Sequence, residues 1–178
     1  MAQNCRPISK LGRTNHMPTS PRFAELLTPG DLLLKLRHDL RRMEQSGSDQ
    51  YVAFDFFVTA DSMVDWVCPD ETDGAGNRKR NRRADREEMR QDNALLRITS
   101  HIANGAKHFT VTKHNSVAGI EKTRYVEPGY VDDGYFEDPI LLHLTSDERA
   151  KSGLGSTIKA LDLARDVVQH WVGDPRVA

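Results

Sequence analysis

From Gln50 to Val67 the chain reads QYVAFDFFVTADSMVDWV. Aromatic and β-branched residues suggest a strand, but a strand is usually about 3–10 residues long, and this run exceeds that. Helical spacing accounts for it better. Val52, Ala53, Phe56, Phe57, Ala60, Met63, Val64 and Val67 fill an arc of roughly 140° on a helical wheel. A helix this apolar has to be central, so the rest of the chain must supply its cover. Its other face carries Asp55, Thr59 and Ser62 in line, with Asp61 and Asp65 at the edge. A carboxylate among aromatic rings needs a partner when buried, because lone buried charge is costly.

A second helix is predicted from Asp92 to Phe109, DNALLRITSHIANGAKHF. Leu95, Ile98, Ile102, Ala106 and Phe109 make its apolar stripe. Arg97, His101, Asn104 and His108 make a polar stripe opposite, at steps of four, three and four. Asp55 or Asp65 is expected to meet Arg97, His101 or His108 across a seam between the two helices; the alternative is that these acids face water.

The chemistry open to that stripe is narrow. His101 and His108 lie about 10.5 Å apart along a helix axis, too far to share one metal ion. No serine sits in a nucleophile elbow and no glycine-rich phosphate loop is present. No metal and no cofactor are therefore expected. Arg next to His suits attack at a phosphodiester, with His moving a proton and Arg stabilising negative charge. The candidate catalytic set is Arg97, His101, Asn104 and His108, with Asp55 or Asp65 orienting an imidazole. The competing reading makes the stripe the outer face of an amphipathic helix.

Net charge is −1, but it is uneven: six basic residues and one acid fall between Arg78 and Arg86. Arg78, Lys79, Arg80, Arg82, Arg83 and Arg86 are the candidate nucleic-acid contacts. They would hold a phosphate backbone without reading sequence, since no aromatic residue interrupts the run to stack on a base. The competing reading is a solvated loop.

Elsewhere the signals are structural. Residues 1–21 are polar and broken by prolines, a flexible arm ahead of a single domain over 22–175. Thr28-Pro29-Gly30-Asp31 opens a helix running to Gln45, and Ser46 to Asp49 breaks and recaps the chain. A mobile basic loop is expected over about 70–84, helical toward its end. A β insertion is expected over about 117–145, with Val117–Val126 and Pro139–Thr145 as strands. Ser146–Gly155 reads as a polar connection. Ser156 caps a last helix anchored by Trp171, with His170 at the surface. Cys5 and Cys68 lack metal-type spacing and read as reduced thiols of a cytosolic protein. No run reaches the roughly 18 apolar residues of a membrane span, and no secretory signal is expected.

Two blocks, Ala53–Trp66 and Ala103–Phe109 (ANGAKHF), resemble motifs in a group of uncharacterised bacterial and phage-encoded proteins. In that group FFVTA runs on to Asp-Trp, and a last helix ends in Trp, as Ile158–Trp171 does here. More loosely, the chain resembles HEPN-type helical bundles, many of them ribonucleases of conflict and defence systems. Those carry Arg, then four to six residues, then His; here three residues separate Arg97 from His101 and ten separate it from His108, so the spacing departs from that pattern.

The expected fold is mainly α: a bundle of about four main helices with a small antiparallel β insertion before the last one. The expected function is a HEPN-like nucleic-acid-associated protein, a metal-independent RNase if it is an enzyme, binding RNA through the basic loop. The alternative is a non-catalytic interaction or accessory protein, a homodimer or bound to a protein partner, whose polar stripe is a structural seam or partner surface.

Overall fold

Each long helix begins where the sequence offers a cap. The computed structural model describes residues 26–46, 48–73, 75, 77–107, 115–122 and 139–177, the side chains of 106 and 107 excepted. Residues 1–21, His108, Phe109 and residues 123–138 of the expected β insertion lie outside them. Helix α1 (Pro29–Gln45) opens on a capping box: the Asp31 N–H donates to Thr28 Oγ1 at 3.2 Å, and the Thr28 N–H donates to Asp31 Oδ2 at 2.8 Å. Helix α2 (Gln50–Val67) opens on Asp49, whose carboxylate accepts from the Tyr51 and Val52 N–H groups. All eight apolar residues of the arc read from the sequence are buried.

Strand β1 (Glu71–Thr72) pairs antiparallel with β2 (Arg78–Arg80), so the start of the basic run is strand rather than mobile loop. Helix α3 (Arg83–Asp92) buries no residue outright and lies against α2 and α4 through charged side chains. Helix α4 (Ala94–Lys107) is started by Asn93, whose Oδ1 accepts from the Leu95 N–H at 2.9 Å. Strands β3 (Val117–Lys122), β4 (Ile140–Leu144) and β5 (Thr157–Lys159) form one antiparallel sheet in that order. Ile140, Leu142 and Leu144 point into the core while Leu141 and His143 alternate outward.

Between β4 and β5 runs α5 (Ser146–Ser152), where a polar connection was expected. Thr145 caps it, and Gly153 ends it at φ 71°, a left-handed conformation that suits glycine. The last helix, α6 (Ala160–Val172), starts later than Ser156 because Thr157–Lys159 are taken up by β5. Trp171 is wholly buried, as its spacing predicted.

The fold is mainly α with small antiparallel sheets, as expected, but the described residues hold six helices rather than about four. Helix α2 packs between α1 and α4, α6 covers α1, and β3 lies along α4. No helix among the described residues is long and apolar enough to cross a membrane. Cys68 is disulfide-bonded, which corrects the expectation of two reduced thiols; the sequence holds one other cysteine, Cys5. The inference from free thiols to a cytosolic setting goes with it.

Candidate functional site

The described members of the polar stripe, Arg97, His101 and Asn104, do not converge on one site. Arg97 is 7% exposed and points at α5, where Glu148 is 2% exposed. Arg97 Nε donates to Glu148 Oε2 at 2.7 Å and Nη2 to Oε1 at 2.6 Å, a bidentate fork. Nη1 donates to the Gln91 carbonyl. Ser116 Oγ donates to Glu148 Oε2 at 2.8 Å. The bonds from Glu148 raise the Arg97 guanidinium above its ordinary value, against the effect of burial. Burial pushes the Glu148 carboxyl up, yet the hydrogen bonds from Arg97 and Ser116, with the Arg97 charge, leave it below its ordinary value. A buried pair satisfied on this many sides is a fastening, each nitrogen of the guanidinium already donating to a protein acceptor.

His101 is half-buried, and its Nδ1 accepts the Val117 N–H at 2.9 Å. Asn104 Nδ2 donates to the Ser100 carbonyl at 2.8 Å. His101 and Asn104 line different cavities. His108 lies outside the described residues.

The acids of α2 are taken up elsewhere. Asp55 Oδ2 meets Arg42 Nη1 at 3.1 Å, so it faces α1 rather than α4. Asp65 meets Arg86 Nε at 3.0 Å and Arg90 Nη2 at 3.8 Å, facing α3. Neither is bonded to Arg97 or His101, which corrects those two expected pairings; a pairing with His108 lies outside the described residues. The cause is competition: α1 and α3 each present arginines to α2, and an arginine satisfies a carboxylate with several fixed donors.

Two further polar contacts were not foreseen. Asp39, 2% exposed on α1, is held by Lys35 Nζ at 2.5 Å and by Thr59 Oγ1 at 3.1 Å. Asp61 on α2 meets Arg90 Nε at 3.1 Å. A signal for the first existed: Asp39 lies between Leu36 and Met43 on the buried stripe of α1.

The basic segment is largely neutralised from within. Arg78 Nε meets Asp70 Oδ2 at 2.9 Å, Arg80 lies 3.6 Å from Asp85, and Arg82 pairs with both Glu71 and Asp85. Arg86 meets Asp70 and Asp65, each at 3.0 Å. The Arg82 N–H donated to Asp70 holds that carboxyl below its ordinary value, and Arg86 and Arg78 add to the effect. Lys79 and Arg83 are exposed and carry no ion pair among the described residues.

What the fold does assemble is an apolar cavity of about 420 Å³ between α2, α4 and the sheet. Ala53, Phe54 and Phe57 come from α2, His101 and Ile102 from α4, Val117 and Ile120 from β3, and Ile140 and Leu142 from β4. Phe54 and Ile120 are among the exposed large apolar residues. Its size and lining are those of a ligand pocket. Phe54, with Tyr51, Val58 and Trp66, breaks the polar face of α2 in the sequence, a hint that this face is not wholly solvated. Among the described residues, no group of three His, Cys, Asp or Glu side chains is placed to hold a metal ion. No family model, curated protein or solved structure matches the chain.

Proposed function

We propose that this chain is a non-catalytic interaction or accessory protein. In this reading the polar edge of α4 is a structural seam, and the apolar cavity receives an apolar side chain of a protein partner. The engagement of Arg97 carries the proposal: Nε, Nη1 and Nη2 each donate to a protein acceptor in a buried setting. A guanidinium that stabilises a phosphorane must have donors aimed at where charge develops. The cavity gives the interaction a place, because Phe54 and Ile120 leave apolar surface at its rim.

A second reading has its own support in Lys79 and Arg83. These exposed cations are left over for phosphate after the other four of the run are paired. It is the HEPN-like nucleic-acid-associated protein, an RNase of a bacterial or phage conflict system. His101 would then move the proton with Asn104 nearby, without help from Arg97.

Labelled RNA incubated with folded wild-type protein and with His101→Ala separates the two. The first reading expects background cleavage from both. Cleavage by the wild type that His101→Ala abolishes would refute it in favour of the second.

A further inference from the structure

A backbone N–H can only donate, so the imidazole nitrogen that accepts it must be unprotonated. His101 Nδ1 accepts the N–H of Val117, the first residue of β3, at 2.9 Å. Val117 is itself buried, so its amide has little access to water as a substitute. The bond therefore exists only with the neutral ring, its proton on Nε2. From this geometry we propose that His101 is a pH-sensitive latch that clasps β3 to α4 when neutral and lets it go when protonated.

The surroundings of the ring sharpen the idea. The described side chains that share its cavity include Gln50 and Phe57 from α2, Val117 from β3, and Ile140 and Leu142 from β4, and none in that lining is charged. On α4 the charge one turn back is Arg97, cancelled by Glu148 of α5. The far half of β3 is held by other contacts: His143 Nε2 on β4 lies 2.9 Å from Glu121 Oε2. Protonation of His101 thus frees the Val117 end of β3 and leaves its Glu121 end on the sheet. Because β3 is one wall of the apolar cavity, release of Val117 widens it. The latch stands whether or not the cavity receives a partner.

The test is a pH titration of the ¹⁵N-labelled protein followed by NMR. The Val117 amide is expected to shift with the same midpoint as the His101 ring signals. Its hydrogen-exchange protection is expected to fall about tenfold below that midpoint. His101→Asn, whose side-chain oxygen accepts at any pH, is expected to keep Val117 protected with no midpoint. A Val117 amide that stays fixed and protected while His101 titrates would overturn the proposal. So would a midpoint at Val117 that survives in His101→Asn.

Discussion

Arg97 of α4 and Glu148 of α5, 51 residues apart in the chain, face each other through two parallel hydrogen bonds in the protein interior. The pair also reaches Ser116, next to the residue that His101 holds. Two members of the polar stripe thus secure the same short stretch, residues 116–117, against α4. An edge that would read as catalytic on an isolated helix becomes a joint once its neighbours are in place.

If the joint is structural, removing one half should cost far more than removing both. Arg97→Met leaves a buried carboxylate and should destabilise by about 3–5 kcal/mol in urea unfolding. Arg97→Met with Glu148→Leu should recover most of that loss, because no buried charge remains. Recovery of the double variant is the outcome to look for.

Stability should decline in mild acid partly through His170. Burial lowers this imidazole below its ordinary value of 6.5, Arg176 lowers it further, and Asp174 opposes them. The unfolded chain therefore takes up a proton at higher pH than the folded one does. Stability is complete above about 6.5 and declines as pH falls from there toward the folded value. Urea midpoints across that range should fall more steeply for wild type than for His170→Gln. Parallel curves would show that His170 contributes nothing to the slope.

Any binding of RNA by the basic segment should be weak and rest on few charges. Only Lys79 and Arg83 of the run lack an ion pair among the described residues. Two phosphate contacts give a slope of log affinity against log salt of about −1.4 on a single strand. Fluorescence anisotropy should find that slope or a shallower one, and Lys79→Ala with Arg83→Ala should abolish binding at low salt. A slope corresponding to five or six contacts would mean that the internal pairs open for RNA.

Placing a charge at the rim of the apolar cavity should block a partner without unfolding the protein. Phe54→Asp and Ile120→Asp alter exposed side chains, where substitutions usually move stability by about 0.5 kcal/mol or less. NMR titration with a soluble apolar probe, 1-anilinonaphthalene-8-sulfonate, should perturb Val117, Ile120 and Leu142 in the wild type and none of them in the variants. Perturbations that persist unchanged would place the probe elsewhere.

The sequence made the helical framework legible and left its contacts obscure. Thr28 with Asp31, the apolar arc of α2 and the burial of Trp171 could be read because each depends on residues within a few turns. Periodicity identifies the face of a helix but not what covers it. Nothing near Arg97 points to Glu148, and Asp55 gives no sign of preferring Arg42 to a histidine. The basic run looked unpaired because most of its acids lie in other elements: Glu71 on β1, Asp70 just before it, Asp65 on α2 and Asp85 within α3. Helix α5 and strand β5 are too short to show a period.

The central claim is that Arg97 works by holding Glu148, and a double-mutant cycle measures that directly. Urea unfolding of the wild type, Arg97→Ala, Glu148→Ala and the double variant gives the coupling between the two residues. A structural seam predicts a coupling of about 2–3 kcal/mol. A coupling near zero, with Arg97→Ala as stable as the wild type, would contradict it.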